Sequence, residues 1–140
     1  MKPNLKDMAR AHAEPNLEAA VRQNPDFFPE PDEPPVIIRK NRYTMANAVV
    51  NMNYGICMTP GAMLAKRCKE YKKEIIFRKE DSEFCCDATS ILELLSLGAA
   101  KGAKLTILVE GTDAESADIA MQMYSALTSE NSYNLDFSRF

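Results

Sequence analysis

The stretch YGICMTPGAML, residues 54–64, places a cysteine next to the expected start of a helix. Thr59 can serve as the N-cap and Pro60 as the first helical residue, where its missing N–H costs nothing. Cys57 then lies two residues before the cap, where backbone N–H groups and the positive end of the helix dipole favour negative charge. A thiol there gains thiolate character and becomes a nucleophile. The alternative is a small inert residue in a loop.

Ser90 is a second candidate residue, because it opens the apolar stretch SILELLSLG. Ser90 and Glu93 have the spacing of a capping box, in which the serine side chain accepts a hydrogen bond from the backbone N–H three residues on. Such a cap contributes about 1 kcal/mol to stability. The apolar side chains that follow Ser90 are expected in the core.

The cysteines and the single histidine do not have the spacing of a metal centre. Cys57, Cys68, Cys85 and Cys86 form no C-x-x-C pair, and His12 is the only histidine. The spacing predicts no zinc site, and nothing in the sequence implies a cofactor. Reduced thiols fit a cytosolic protein, in which Cys68 and one of the adjacent pair fill the core. His12 lies in a polar segment and is expected to be solvated.

The composition is that of an ordinary water-soluble domain, with 46% hydrophobic and 26% charged residues. The formal net charge of -3 does not suggest a nucleic-acid binder. No apolar run approaches the roughly 18 residues of a membrane span, and the start has no signal-peptide pattern. A cytoplasmic location without membrane contact is therefore expected.

Proline and glycine divide the chain into two regions. Seven of the eight prolines fall in residues 1–35, and all five glycines follow residue 50. Proline removes backbone donors and restricts its neighbours, so PDFFPEPDEPP cannot be a regular helix or a central strand. We therefore expect a Pro-rich acidic extension over 1–40, a folded domain over 41–130 and a C-terminal tail over 131–140. Within the extension, residues 16–23 could form a short helix capped by Asn16.

Hydrophobic periodicity predicts four strands and three helices in the order β-α-β-β-α-β-α. The first strand carries alternating apolar residues, the first helix runs from Pro60 to about Lys72, and Gly98 ends the second helix. Thr112 and Glu115 are expected to cap the last helix. This order is typical of an α+β fold, with helices covering one face of an antiparallel sheet. The expected buried positions are Ala46, Ala48, Val50 and Met52 in the first strand, Leu64, Ala65, Cys68 and Tyr71 in the first helix, Leu105, Ile107 and Val109 in the last strand, and Ala117, Ala120, Met121, Tyr124 and Leu127 in the last helix.

The outward face of this sheet is more apolar than a solvated face should be, because it carries Val49, Ile76 and Leu108. The stretches DFF and PPVIIRK supply further apolar residues that have no place in the main core. We expect either that part of residues 27–40 packs on this face or that the face is a homodimer contact.

Two motifs link the chain to a known family. Residues 54–61 read YGICMTPG, residues 89–99 read TSILELLSLGA, and the pairs KG and EG follow at 101–102 and 110–111. In this pattern residues 45–128 resemble HPr, the histidine phosphocarrier of the bacterial phosphotransferase system. Members of that family read N-G-L-H-A-R-P-A at the first motif and K-S-I-M-G-V-M-S-L-G-A at the second.

The resemblance implies an open-faced β-sandwich with strand order 1-4-2-3 and gives roles to individual residues. It places Cys57 on the family's phosphorylated histidine and Thr59 on the arginine that assists phosphate transfer. It places Ser90 on the regulatory serine that an ATP-dependent HPr kinase phosphorylates. The apolar docking patch beside that serine would comprise Ile91, Leu92 and Leu95.

These residues favour a cytoplasmic regulatory or protein-binding module of the sugar phosphotransferase network, without histidine phosphotransfer. Its partners would be proteins of that network, such as HPr kinase or a regulator. An alternative is a phosphocarrier or redox switch that uses Cys57, since phosphocysteine intermediates occur in sugar-specific components of the same system. A third hypothesis is a scaffold whose N-terminal extension confers a new interaction.

Overall fold

The strands and helices follow one another in the predicted order, with one additional strand at the start. The computed structural model describes residues 26–130, so His12 and the predicted helix over 16–23 lie outside the described residues. The elements are β1 Ile37–Lys40, β2 Tyr43–Val49, α1 Met58–Glu70, β3 Ile75–Lys79, β4 Cys85–Asp87, α2 Ile91–Ser96, β5 Lys104–Glu110 and α3 Ala114–Thr128.

The strands form one antiparallel sheet in the order β1-β2-β5-β3-β4. Counted without β1, the remaining four have the order 1-4-2-3, as the resemblance to HPr implies. The expected α+β fold, with helices packed on one face of an antiparallel sheet, is therefore confirmed.

The additional strand β1 pairs with the edge of β2, from Ile37 opposite Ala46 to Lys40 opposite Tyr43. The turn between them is short because Asn41 adopts a positive φ of 58°, a conformation that asparagine tolerates better than most residues. The apolar stretch VIIRK, which had no place in the predicted core, thus extends the sheet by one strand.

Alternation along the strands builds the core between the sheet and the helices. The inward residues predicted on β2 and β5 are all buried, and Ile75 and Phe77 join them from β3. The predicted stripe of α1 is also confirmed, with Tyr71 half-buried and packed against the core. Burial of these side chains supplies the main driving force for folding, roughly 25 cal/mol for each Å² of apolar surface removed from water.

Helix α3 begins one residue later than the sequence suggested, and its buried face is rotated accordingly. Asp113 rather than Thr112 is the N-cap, and its carboxylate accepts hydrogen bonds from the Ser116 N–H at 2.9 Å and the Ser116 hydroxyl at 2.7 Å. Ser116 is buried, whereas the predicted Ala117 and Met121 are half-buried. Asp113 caps the helix because its carboxylate reaches both donors of Ser116. The buried positions of α3 are Ser116, Ile119, Ala120, Gln122, Met123, Tyr124, Ala126 and Leu127.

The outward face of the sheet is partly covered by the chain itself. We call residues 26–36 the cover segment. The Phe27 carbonyl oxygen accepts a hydrogen bond from the side chain of Asn47 at 2.8 Å, and the Phe28 ring lies 5.5 Å from the Lys104 ammonium. Asn47 and Lys104 alternate with core-facing neighbours, so both point away from the helices. The expectation that part of residues 27–40 packs on this face is confirmed.

Candidate functional site

Cys57 is the N-cap of α1, two residues earlier than expected. Its backbone is extended, with φ -101° and ψ -167°, and its carbonyl oxygen accepts the Gly61 N–H at 2.8 Å. No side chain accepts a capping hydrogen bond there. The prediction that Thr59 caps this helix is wrong, because the helix continues through Met58 to the cysteine and leaves Thr59 exposed in its first turn.

The loop before Cys57 is held against the residues that follow α2. Gly55 has a positive φ of 66°, and a Cβ on it would come within 2.3 Å of the Ala99 carbonyl oxygen. The same oxygen accepts the Ile56 N–H at 2.9 Å. Only glycine fits this left-handed conformation and close approach. Gly55 and Ala99 thus fix the place at which the cysteine enters the helix.

The surroundings of Cys57 are apolar and accessible. The thiol-bearing residue is half-buried, while its neighbours Tyr54 and Met58 are 70% and 64% exposed. Among the described residues no histidine is present, because His12 is the only one in the chain. The chemistry available to this loop is therefore that of a partly accessible thiol beside the backbone N–H groups of a helix start.

The other three cysteines differ from Cys57 in accessibility. Cys68 and Cys86 are fully buried, and burial raises the pKa of each thiol to about 12. The Cys68 sulfur contacts the Met123 sulfur at 3.6 Å in the core. Cys85 alternates with Cys86 on the edge strand β4 and is exposed. The expectation that Cys68 and one of the adjacent pair fill the core is confirmed.

Ser90 is the N-cap of α2, as predicted, and its hydroxyl accepts the Glu93 N–H at 3.3 Å. The second half of the expected capping box is absent, because the Glu93 carboxylate accepts the Asp87 N–H at 3.0 Å instead. The Ser90 N–H donates to the Asp87 carbonyl oxygen at 3.0 Å. The Asp87 carboxylate in turn accepts from the N–H and hydroxyl of Thr89, at 2.9 and 2.8 Å. Two carboxylates thus accept hydrogen bonds within the turn that leads into the Ser90 cap.

The three apolar residues proposed beside Ser90 are not equivalent. Leu92 is 77% exposed, whereas Ile91 packs partly against the core and Leu95 is half-buried. A Cβ on Gly61 of α1 would lie 3.8 Å from a methyl carbon of Leu95, so this leucine sits where the two helices meet. Of this set, only Leu92 offers a large apolar surface to a partner.

Sequence reasoning passed over two apolar residues, Tyr54 and Met58. Both belong to the exposed large hydrophobic residues of the described part of the chain, together with Leu92 and Phe84. The sequence did contain a signal for their exposure. Tyr54 and Met58 lie on either side of the helix start and are not among the predicted core positions. Helices α1 and α2 pack together, so the Cys57 loop and the α2 N-cap belong to one helix layer.

Metal centres and membrane-spanning helices are both absent from residues 26–130. No group of His, Cys, Asp and Glu there has the arrangement needed to hold a metal ion. No helix within the same range is both long and apolar enough to cross a membrane.

A family model described as the PTS HPr component phosphorylation site matches residues 45–126, more than half of the chain. This chain belongs to the HPr family. The matched region begins within β2 and ends in α3, so it leaves out β1 and the cover segment.

Solved HPr structures have the same fold. Phosphocarrier protein HPr from Bacillus anthracis is 27% identical, with a TM-score of 0.51, and the match covers 60% of this chain and 98% of that one. The histidine-containing phosphocarrier protein of a Mycoplasma is 23% identical, with a TM-score of 0.50 over 59% and 96% of the two chains. HPr-C-His from Thermoanaerobacter tengcongensis is 19% identical, with a TM-score of 0.51 over 61% and 97%. The comparison with curated proteins gave no match.

The whole of an HPr domain is thus contained in this chain, and about two fifths of the chain lies outside the match. In the HPr fold seen here, the first loop and helix α2 lie together in the helix layer. The cover segment approaches the opposite face of the sheet.

Proposed function

We propose that this member of the HPr family is a regulatory or protein-binding module of the phosphotransferase network that transfers no phosphate through histidine. The observation that carries the proposal is the occupant of the α1 N-cap. The resemblance to HPr puts the phosphorylated histidine there, and this chain has Cys57. The only histidine, His12, is far away in sequence, in the N-terminal extension.

The chemistry of transfer supports this proposal. A neutral imidazole near pH 7 can accept a phosphoryl group and release it again. A thiolate differs from it in charge and would repel an incoming phosphohistidine unless a cation stood beside it. At the position that the resemblance gives to the family's arginine, this chain has Thr59, an uncharged side chain exposed in the first turn of α1.

A partner-binding role is supported by the apolar side chains of the helix layer. Tyr54, Met58 and Leu92 are all well over half exposed, and a group of exposed apolar side chains offers a surface to a partner. They lie on the first loop, α1 and α2, and these two helices pack together. We propose that a protein of the phosphotransferase network, such as HPr kinase or a regulator, binds here.

Control of that binding by phosphorylation of Ser90 is part of the proposal. A phosphate at a helix N-cap meets backbone N–H groups, which favour a dianion. The carboxylates of Asp87 and Glu93 oppose it, because their negative charges lie on the same turn, where both accept backbone N–H groups.

Incubation with an HPr kinase and ATP should label the chain, and Ser90→Ala should abolish the label. Glu93→Gln should accept more phosphate than the parent, since one opposing charge is gone. Absence of label from the parent and from Glu93→Gln, with an ordinary HPr labelled in parallel, would reject this part.

A charging experiment tests whether this chain lacks histidine phosphotransfer. Labelled phosphoenolpyruvate and the enzyme that charges HPr should give negligible label on this chain. The double variant Cys57→His/Thr59→Arg should gain acid-labile label if those two residues are what the chain lacks. Cys57→Ser with the native Thr59 serves as the matched control and should stay unlabelled.

A phosphocarrier or redox switch that uses Cys57 is the second candidate, favoured by the accessible thiol at the helix start. It makes the opposite prediction for the same experiment. Thiol-linked label on the parent chain that disappears in Cys57→Ser would establish a cysteine phosphocarrier and overturn the first proposal.

A further inference from the structure

The outward face of the sheet contains a buried polar pair that is completed by the cover segment. Asn47 and Thr106 lie opposite each other on β2 and β5, and the Thr106 hydroxyl donates to the Asn47 side-chain oxygen at 2.8 Å. Their exposures are only 4% and 7%, although both point away from the helix layer. The Asn47 amide donates to the Phe27 carbonyl oxygen at 2.8 Å. The backbone of the cover segment therefore fills a hydrogen-bonding position on a face that the family fold alone leaves open.

The other end of the cover segment is bound to helix α3. The buried Tyr124 hydroxyl donates to the Glu33 carbonyl oxygen at 2.8 Å and lies 3.3 Å from the Glu30 carbonyl oxygen. Burial and the nearby Glu33 and Asp32 carboxylates raise the pKa of Tyr124 to about 12, so its hydroxyl remains a donor throughout the physiological range. One segment thus spans from the outward face of the sheet to a helix of the opposite layer.

Apolar contacts accompany these two hydrogen bonds. Pro29 is buried, and Phe27 and Phe28 are each half-buried. The Lys104 ammonium lies over the Phe28 ring at 5.5 Å, within the range of a cation–π contact. The four prolines of this acidic stretch prevent a helix or central strand, and the aromatic side chains give it apolar contacts in their place.

The face beneath the cover segment also carries apolar side chains. Val49, Ile76 and Leu108 are half-buried on it, and two copies could bring these residues together in a symmetric contact. We propose that the cover segment is an intramolecular cover that occupies this face in place of a second copy, with the Tyr124 and Asn47 hydrogen bonds as its latch. The sheet face is then unavailable for a homodimer while the latch is closed.

A full-length chain with Tyr124→Phe tests the latch, because it removes only the hydroxyl that holds the Glu33 carbonyl. Tyr43→Phe is the matched control, since its hydroxyl donates to the exposed Glu74 carboxylate at 2.9 Å, outside the cover. Chymotrypsin cleavage of the Phe27–Phe28 bond reports opening, because cleavage follows the population of the open form when reclosing is fast. Loss of one hydrogen bond should raise that cleavage rate roughly fivefold, and the control should match the parent.

A second cleavage site and a second variant distinguish opening of the cover segment from unfolding of the whole protein. Cleavage within α3 should stay at the parent rate if only the cover opens. Phe28→Ser, which removes the ring over Lys104, should give the same local effect and increased binding of a hydrophobic dye. The parent should sediment as a monomer. A parent that is cut between Phe27 and Phe28 as fast as the Tyr124→Phe variant, or that forms a dimer through Ile76 and Leu108, would overturn the proposal.

Discussion

The Glu93 carboxylate accepts the backbone N–H of Asp87 at 3.0 Å, three residues before the N-cap of the helix that contains Glu93. The Ser90 N–H, the expected partner of Glu93, donates instead to the Asp87 carbonyl oxygen. A glutamate that would close a capping box therefore binds the turn that brings the chain from β4 into α2. This arrangement makes the turn and the helix start one hydrogen-bonded unit centred on Ser90.

Ser90→Ala should lower the free energy of unfolding by about 1 kcal/mol, because the Glu93 N–H loses its capping acceptor. Ser96→Ala is the matched control in the same helix. Its hydroxyl donates to the Leu92 carbonyl oxygen from an exposed position, so the change should stay within about 0.5 kcal/mol. Urea denaturation of both variants and the parent provides the comparison. Equal losses in the two serine variants would mean that the N-cap contributes nothing specific.

Gly55→Ala should destabilise the protein more than Gly102→Ala, although both glycines have positive φ angles of 66° and 93°. A Cβ at Gly55 would lie 2.3 Å from the Ala99 carbonyl oxygen and 2.7 Å from the Ala100 Cα, whereas nothing lies within 4 Å at Gly102. We expect roughly 1–2 kcal/mol of backbone strain at Gly102 and a clearly larger loss at Gly55. Thermal melts of the two variants measure the difference. Similar melting temperatures would show that the loop before Cys57 can rearrange to accommodate a Cβ at residue 55 with little loss of stability.

Much of the fold could be predicted because its strands alternate and its helices have ordinary periodicity. Ala46, Ala48, Leu105 and Ile107 are buried as expected, since period-2 burial leaves little freedom in register. The N-caps were less predictable. Thr59 and Thr112 have the chemistry of caps, but the helices start at Cys57 and Asp113. The loop before Cys57 is held by its contact with Ala99, whereas Asp113 is selected locally by its two hydrogen bonds from Ser116. A cap contributes only about 1 kcal/mol, so either kind of contact can outweigh it.

The candidate site was predictable in its residues but not in its hydrogen bonds. Cys57 and Ser90 lie at helix starts as the motifs indicated, and Leu92 of α2 is exposed. The hydrogen bond that the Glu93 carboxylate accepts from the Asp87 N–H depends on the path of the chain between β4 and α2, which periodicity does not describe. The strand β1 was missed because two prolines before VIIRK argue against a central strand, whereas an edge strand tolerates them.

Thiol accessibility gives a prediction that separates the four cysteines. Iodoacetamide should modify Cys57 and Cys85 first, because Cys68 and Cys86 are fully buried and the pKa of each is raised to about 12. Mass spectrometry of peptides after timed alkylation measures the order. If the helix start activates Cys57, it should react faster than the more exposed Cys85. Faster reaction of Cys85 would leave the exposure argument intact and reject the activation of Cys57.

The N-cap of α3 should give the protein an acid-dependent loss of stability. Hydrogen bonds from Ser116, and then the Lys73 ammonium at 3.3 Å, lower the pKa of Asp113 from 3.8 to about 2. The folded state therefore favours the charged carboxylate, and its contribution is fully present above the unfolded pKa near 4. It is lost as the pH falls from about 4 to about 2, where the folded protein also binds the proton.

Asp113→Asn keeps an oxygen that can cap the helix but does not titrate. Its unfolding free energy should fall less than that of the parent between pH 5 and pH 2, as measured by urea denaturation at each pH. An equal fall in both proteins would assign the acid sensitivity to other carboxyl groups and remove Asp113 from the explanation.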